Sequence, residues 1–272
     1  MLISYHNHTT WSDGRHTIPE LIGGARAAGV AELGISDHFA VTPDGRPPSW
    51  SIQTEKLDLY VEEVLRAAQN TVDLTIRLGV EVDYFPETLE ESINLLKPYP
   101  FDFIIGSVHF IDEFTIDLNS DSWEKISQEE RNQVWQTYWE RITAAAKSEC
   151  FDFIGHFDLP KKYKFYPDVD LTTAALSALD AIAAADAAME INTSGWHKPV
   201  GEAYPDLYYL EEARHRNIPL LINADAHYSN HVARDFEKAR KLASAAGYSE
   251  LVRYEKRKRF TYPLESLFSY SS

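Results

Sequence analysis

Short apolar runs alternate with longer amphipathic stretches along most of this chain. Each run stops at a histidine, a carboxylate or an amide, and helical periodicity follows it. Seven such runs predict buried strands at residues 2–8, 32–38, 72–83, 101–109, 151–158, 187–194 and 218–227. Alternation of this kind is typical of repeated β/α units, so we expect an α/β fold.

Start and stop signals locate the intervening helices. Thr17 and Glu20 have the spacing of a capping box before an alanine-rich segment that Gly29 can end, and Ser127 with Glu130 repeats this spacing. Further helices are predicted near residues 54–70, 171–186 and 205–217.

Length and composition favour one large domain. No linker or low-complexity tract interrupts the 272 residues, so we expect a single domain over 1–272. The net charge of -16 argues against a surface that wraps nucleic acid, although bound cations would also offset it. With Cys150 as the single cysteine, and neither a leader nor a long uncharged run, we expect a cytoplasmic protein without a membrane partner. The oligomeric state is left open.

Residues of one chemical kind stand at the end of every predicted strand. Strands joined in series by helices run parallel, and their carboxyl ends meet on one face of the fold. We therefore expect these side chains to converge on one rim. They are His6, His8, His38, Glu81, His109, His156, Asn192, Asp225 and His227.

The convergent set has the chemistry of a metal site. Alternate side chains of a strand share a face, so His6 with His8, and Asp225 with His227, can each grip one ion. Neutral imidazoles and carboxylates suit zinc, iron or manganese, and Glu81 is able to bridge two ions. One histidine alone at a strand end is more often a satisfied polar group, but the whole set acting alike favours metal binding.

The ordered motifs resemble those of the polymerase and histidinol phosphatase (PHP) family, and within it the histidinol-phosphate phosphatases. They span most of the chain, and the resemblance implies a distorted seven-stranded, TIM-like (β/α) barrel with its metal site at the C-terminal ends of the strands. The motifs are HNH (6–8), SDG (12–14), SDH (36–38), GVE (79–81), SVH (107–109), GHFD (155–158), INTSG (191–195) and ADAH (224–227).

The resemblance also implies a centre of three divalent metal ions, whether zinc, iron or manganese. The implied ligands, grouped by ion, are His6, His8, Glu81 and Asp225 for the first, Glu81, His109 and His156 for the second, and Asp13, His38 and His227 for the third.

The implied activity is hydrolysis of a small phosphomonoester, most specifically L-histidinol phosphate in histidine biosynthesis. Clustered cations bind phosphoryl oxygens and lower the pKa of bound water from about 16 toward 7, so that a metal-bound hydroxide attacks phosphorus. The leaving alkoxide needs a proton, for which Asp225 or His227 is the candidate donor.

Cationic residues after the fifth and sixth strands are candidates for phosphate contacts. The segment LPKK (159–162) offers Lys161 or Lys162, and GWHKP (195–199) offers His197 or Lys198. Arginine is usual at these places in the family, and lysine or histidine lacks its bidentate fork. A different phosphomonoester or phosphodiester therefore stays an alternative substrate.

Two other segments are open to more than one interpretation. Asp112, Glu113 and Asp117 in FIDEFTID (110–117) offer negative charge to a substrate ammonium or imidazole, or form an ordinary acidic surface loop. The basic run RYEKRKR (253–259) is predicted to be a solvated edge strand rather than a nucleic-acid site.

Two further functions also fit the pattern of residues. A regulatory module can retain the barrel without catalysis, although an intact ligand set argues against this. A metal-dependent amide hydrolase uses a similar barrel but acts on carbonyl substrates and has no need of phosphate-binding cations.

Overall fold

The computed structural model describes residues 1–268. Its strands are β1 Leu2–Ser4, β2 Val30–Ile35, β3 His38–Phe39, β4 Thr75–Asp83, β5 Phe103–Ser107, β6 Phe110–Ile111, β7 Phe114–Thr115, β8 Phe153–Ile154, β9 Ala188–Asn192, β10 Leu220–Asn223, β11 Glu250–Glu255 and β12 Lys258–Pro263. Its α-helices are α1 Ile18–Ala27, α2 Leu57–Asn70, α3 Leu89–Leu96, α4 Ser120–Glu124, α5 Gln128–Lys147, α6 Thr172–Ala184, α7 Leu207–His215 and α8 Phe236–Ala245.

Seven parallel strands form a nearly closed barrel in the order β1-β2-β4-β5-β8-β9-β10, which confirms the predicted fold class. The first and last strands are joined at their carboxyl ends, where Asn7 pairs with Ala226. The His8 N–H donates to the Ala226 carbonyl at 2.9 Å, and the Ala226 N–H donates to the His6 carbonyl at 3.2 Å. The seam of the barrel thus runs through the segments that carry the predicted ligands.

The helices begin and end largely where the sequence predicts. The Thr17 and Ser127 capping boxes both form and start α1 and α5. Gly29 follows α1 with a φ of 71°, a conformation that glycine adopts without strain. Helices α3, α4 and α8 were not predicted; the first two are too short for a clear period. In residues 1–268, no helix combines the length and apolar character needed to cross a bilayer.

A layer of aromatic rings fills the barrel below the polar rim. Tyr5 and Phe103 stack with ring centroids 4.6 Å apart, and Phe153 lies 5.8 Å from Phe103. Gly79 makes room for this layer, since a Cβ there would lie 2.2 Å from the Phe103 ring. Each of these buried rings contributes about 1.5–3 kcal/mol of hydrophobic free energy, which gives the site a rigid floor.

The basic run 253–259 is exposed at residues 256–258, as predicted, but it is divided between two strands of a small sheet where the sequence predicts a single edge strand. It spans the turn of the β11–β12 hairpin, and this hairpin covers the amino-terminal end of the barrel. The Lys256 N–H donates to Asp102 at 2.8 Å, Arg257 pairs with Asp152, and Arg259 pairs with Asp186 at 2.7 Å. Acidic residues at that end of the barrel compensate the positive charge.

Candidate metal centre

All nine residues of the implied ligand set meet at the carboxyl-terminal rim of the barrel. Each lies at the end of a barrel strand or in the loop that follows it. Two of them, His156 and Asp225, have positive φ angles of 24° and 50°. Non-glycine residues seldom adopt such angles, and they concentrate where a functional side chain must be aimed away from its strand.

Glu81 occupies the middle of the cluster and is buried. Its Oε2 lies 3.1 Å from His6 Nε2 and 2.9 Å from His38 Nδ1. Its Oε1 lies 3.1 Å from His156 Nε2 and 3.7 Å from His109 Nε2. His8 Nε2 also lies 3.5 Å from Oε2. The two oxygens of one carboxylate therefore face two different sets of imidazoles, as a bridging ligand requires.

The remaining ligands form the side of the cluster that is nearer to solvent. His227 Nε2 lies 3.0 Å from Asp13 Oδ2, and His8 Nε2 lies 3.2 Å from Asp225 Oδ1. The glycine of the SDG motif permits this approach, because a Cβ at Gly14 would lie 2.4 Å from the carbonyl of His8. The loop that carries Asp13 thereby packs directly on the chain that carries His8.

The donor set fits metal ions. Buried polar atoms usually have hydrogen-bond partners, yet His6 Nε2, both ring nitrogens of His8, His38 Nδ1 and Glu81 Oε2 have none among residues 1–268. All of these atoms face the interior of the cluster. The donor groups that lie within 4.8 Å of one another are His8 with Asp13, His38 and His227; His6 with His8 and Glu81; and His38 with Glu81 and His109.

These groups overlap the implied ion assignments but are not identical to them. His8 belongs to two of these donor groups, although the resemblance assigns it to one ion. His38 lies near Glu81 as well as near Asp13. Since adjacent ions share ligands in a compact cluster, such overlap is expected. The assignment of each residue to a particular ion stays a prediction.

The electrostatics of the cluster show a demand for positive charge. Burial lowers the pKa of His38 and His109, but the carboxylates of Glu81 and Asp83 outweigh it and raise these values to about 9 and about 10. Burial raises the pKa of Glu81 and Asp225, yet the surrounding imidazoles hold both well below the usual range. Protons supply the compensating charge in the protein alone, and divalent cations can replace them.

Glu190 is a central residue that the sequence analysis missed. It is buried in β9, where its Oε1 lies 3.0 Å from His6 Nδ1 and accepts the His156 N–H at 3.0 Å. The amides of Asn192 and Asn223 donate to the same carboxylate at 3.0 Å and 2.9 Å. An acid inside the buried run AMEIN was the available signal, because an isolated carboxylate is costly to bury.

Two more polar residues hold ligands in place. Asp83 Oδ1 lies 2.7 Å from His109 Nδ1, and its position two residues after Glu81 places both carboxylates on one strand face. Asn192, expected on the rim, lies outside the donor groups and donates to Asp225 Oδ2 at 3.1 Å. Asp83 therefore orients His109 through Nδ1, and Asn192 orients Asp225 through Oδ2. In each case the ligand's other nitrogen or oxygen is left for a metal ion.

Asp37 organises the loop between His8 and Asp13. It accepts the Thr9 N–H at 2.7 Å and the Ser12 hydroxyl at 2.6 Å. Its position beside His38 in the SDH motif could have indicated a role in the site. Its contacts to Thr9 and Ser12 could not be predicted, because these residues are distant in sequence.

A cavity of about 580 Å³ opens above the cluster, and cationic side chains form part of its wall. Lys162, Lys198 and His197 line it, as predicted for phosphate contacts. The Lys162 ammonium donates to the Asp117 carbonyl at 2.7 Å, and His197 Nε2 lies 2.5 Å from Asp235. Their contact with phosphate stays a prediction.

Lys161 does not line this cavity, which corrects its inclusion among the phosphate contacts. Its buried ammonium lies 2.8 Å from Asp158 and 3.2 Å from Glu202. Instead, the cavity wall contains Arg15 and Arg234, which the sequence analysis did not single out. Neither arginine lies in the loops after the fifth and sixth strands, which carry the cationic residues predicted to contact phosphate.

The acidic segment 110–117 divides between the cavity and the surface. Asp117 lines the cavity, whereas Asp112 points away and pairs with Arg141 at 3.0 Å. Glu113 is exposed at the tip of the β6–β7 hairpin. Trp50 also lines the cavity, with its ring 4.9 Å from that of His38.

Comparison with known proteins places this arrangement in a family. The family model described as "PHP domain" matches residues 4–194. A probable histidinol-phosphatase of Deinococcus radiodurans is 33% identical over 231 residues, which cover 84% of this chain and 87% of that protein. The histidinol-phosphatase of Lactococcus lactis is 23% identical over 260 residues, covering 93% and 94% of the two chains.

A solved structure has the same fold. The crystal structure of histidinol phosphate phosphatase from Lactococcus lactis, complexed with zinc, L-histidinol and phosphate, matches with a TM-score of 0.78 at 21% identity. The match covers 95% of this chain and 98% of that chain. With the family model matching well over half of its residues, this chain belongs to the PHP family.

Proposed function

We propose that this protein is a metal-dependent phosphomonoesterase that hydrolyses L-histidinol phosphate to L-histidinol and phosphate. The observation that carries the proposal is the position of Glu81, whose two oxygens face separate sets of imidazoles beneath a cavity with cationic walls. The histidinol-phosphatase relatives from Deinococcus and Lactococcus support the substrate.

The nine clustered residues would hold the metal ions, and zinc, iron or manganese all suit their nitrogen and oxygen donors. Zinc has support from the Lactococcus structure, which contains it. When bound, such cations act as Lewis acids on phosphoryl oxygens and lower the pKa of coordinated water. The ligands implied by the resemblance are His6, His8, Asp13, His38, Glu81, His109, His156, Asp225 and His227.

The cavity walls supply charge and position for the phosphate. The Lys198 ammonium faces the cavity without a hydrogen-bond partner in the described part of the chain. Lys162 donates to both the carbonyl and the carboxylate of Asp117 and can offer its third proton to phosphate. Charge-assisted hydrogen bonds of this kind orient a dianion and spread its charge.

Of the two candidate proton donors for the leaving alkoxide, His227 suits the role better. Burial lowers its pKa, but Asp13 and Asp225 outweigh burial and raise it, which favours the protonated imidazole. Because a metal ligand must be deprotonated, this role requires that no ion binds His227 when the proton is transferred. The neighbouring imidazoles of His6 and His8 hold Asp225 ionised, with its pKa well below the usual range. A carboxylate in that state accepts protons rather than donating them.

Asp117 is placed to receive the ammonium of histidinol phosphate. Burial raises the pKa of Asp117, but the positive charges of Lys162 and His109 outweigh burial and lower it below its usual value, so the carboxylate stays ionised. It lines the same cavity as the metal cluster, at the end of the segment that follows the β6–β7 hairpin. A charged group here discriminates an amino alcohol phosphate from a neutral ester.

We further propose that the protein acts in histidine biosynthesis in the cytoplasm, as one domain over residues 1–272. Its substrate is a small molecule, and we expect neither nucleic acid nor a membrane as partner. The absence of a nucleic-acid partner is supported by the basic run 253–259, in which Arg257 and Arg259 already pair with Asp152 and Asp186.

The test combines elemental analysis with phosphate release. We expect wild-type protein loaded with zinc, manganese or iron to release phosphate from histidinol phosphate. Glu81→Ala should lose metal and at least about a thousandfold in kcat/KM, because the bridge supplies several kcal/mol of electrostatic stabilisation. Glu113→Ala, at an exposed hairpin tip, is the matched control and should keep both.

Two results would contradict the proposal. One is a Glu81→Ala variant with full metal content and turnover. The other is a substrate panel in which a phosphodiester, another monoester or an amide has a much larger kcat/KM than histidinol phosphate.

A further inference from the structure

Arg234 is a cavity residue whose side chain has no partner in the described protein. It lies in the segment between β10 and α8, and it lines the cavity above the metal cluster. Its Nε is buried without a hydrogen bond, and within residues 1–268 no carboxylate lies within 4 Å of its guanidinium. The guanidinium therefore lines the cavity without a counter-charge from the described chain, which an anion bound in the cavity would supply.

The backbone holds Arg234 in place independently of its side chain. Its carbonyl accepts the Thr193 hydroxyl at 2.8 Å, and its N–H donates to the His231 carbonyl at 2.9 Å. Thr193 follows β9 and His231 follows β10, so two barrel loops fix the origin of the side chain. This limits the entropy lost when the guanidinium binds a ligand.

Other positive charges converge on the same part of the cavity. Burial lowers the pKa of Lys198, the nearby charges of Lys162 and Arg234 act in the same direction, and Asp225 and Asp117 oppose them. Like charges at close range repel one another, and an anion between them would relieve the repulsion. The ligand cluster lines the same cavity, so with metal ions bound there a molecule that contacts both groups of positive charge must be anionic.

We propose that Arg234 binds the phosphoryl group of the substrate, with the Nη groups of its guanidinium donating to two of its oxygens. The inference rests on the proposed phosphatase function and adds a contact that the motifs did not include. A guanidinium presents paired donors that match phosphate geometry, whereas the ammoniums of Lys162 and Lys198 act as point charges. Arg234 therefore provides the bidentate fork that the loops after the fifth and sixth strands lack.

The test measures binding of inorganic phosphate to metal-loaded protein by isothermal titration calorimetry. For Arg234→Ala we expect the Kd for phosphate to rise by about tenfold to a hundredfold, the range for losing charge-assisted hydrogen bonds. Arg234→Lys keeps the charge but not the fork, so its Kd should fall between those of wild type and Arg234→Ala. Inhibition by histidinol, which carries no phosphate, should stay unchanged in both variants.

Arg240→Ala provides the matched control. Arg240 lies on α8 and pairs with Glu237 at 2.9 Å outside the cavity, so its loss should leave the phosphate Kd within twofold of wild type. Circular dichroism and metal content verify that each variant is folded and loaded. The contacts of the Arg234 backbone survive truncation of its side chain.

The outcomes separate this inference from the proposed function. An unchanged phosphate Kd in Arg234→Ala overturns the role of Arg234, even when the enzyme hydrolyses histidinol phosphate normally. Wild-type protein that binds phosphate through Arg234 but hydrolyses no histidinol phosphate overturns the proposed substrate and supports the Arg234 contact.

Discussion

Glu190 Oε1 lies 3.0 Å from Nδ1 of His6, and both side chains are buried. This contact makes Nδ1 the protonated nitrogen of the neutral imidazole and leaves Nε2 facing Glu81, 3.1 Å from its Oε2. The carboxylate also accepts the backbone N–H of His156. One residue therefore orients two ligands from opposite sides of the cluster.

We expect Glu190→Gln to lower metal affinity and kcat by about tenfold to a hundredfold, the usual cost of removing a carboxylate behind a ligating histidine. The amide has the same shape but no negative charge to favour the Nδ1–H tautomer. Chelator competition measures the affinity. Glu202→Gln, half exposed at Lys161, is the control, and equal metal affinity in the two variants would refute the orienting role.

Chelation should make stability depend on pH. The raised pKa values of His38 and His109, about 9 and about 10, stabilise metal-free protein below their unfolded value near 6.5. That stability is lost as pH rises through the folded values. We expect the Tm of chelated protein to fall by several degrees between pH 7 and 10, whereas metal-loaded protein, whose cations replace the protons, should lack this slope. Parallel Tm curves for both forms would contradict this.

Asp117→Asn should raise the KM for histidinol phosphate by about tenfold, because one ion pair to the substrate ammonium is lost. The KM for p-nitrophenyl phosphate, which has no ammonium, should change little. Asp112→Asn is the matched control, since Asp112 pairs with Arg141 away from the cavity. A similar rise in KM for both substrates would assign Asp117 to the positioning of Lys162 instead.

Lys161 and Lys198 should respond differently to truncation. Lys161→Ala leaves the buried Asp158 without its ion pair and should cost about 3–5 kcal/mol of unfolding free energy. Its effect on KM should be small. Lys198→Ala, at an exposed site in the cavity wall, should leave Tm nearly unchanged and raise KM. Denaturant unfolding measures the loss of stability, and steady-state kinetics measure KM. If Lys161→Ala raised KM without destabilising the protein, and Lys198→Ala destabilised it without raising KM, the two proposed roles would be wrong.

Local pattern was sufficient for the barrel strands and for the convergence of their terminal residues. Period-two alternation and capping boxes depend only on residues that are close in sequence, so they can be recognised without the tertiary structure. The seven predicted strands all appear, although β1 and β8 are shorter than their apolar runs. Strand β8 stops early because the backbone at His156 has a positive φ of 24°, which a strand does not allow.

The residues that support the ligands could not be read from local pattern. Glu190 meets His6 across 184 positions of sequence, and Arg234 reaches the cavity from a loop with no motif. The ion pairs of the basic run 253–259 were not predicted, because its acidic partners, such as Asp152 and Asp186, lie in distant segments.

Residue chemistry and strand period are properties of the sequence alone, and they were enough to predict the fold class, the ligand types and the rim on which the ligands gather. Which cations line the cavity is known from the tertiary structure alone: Lys161 pairs with Asp158, and Arg234 lines the cavity instead. The direction of a long side chain depends on the partners that packing brings within reach, and those partners are remote along the chain.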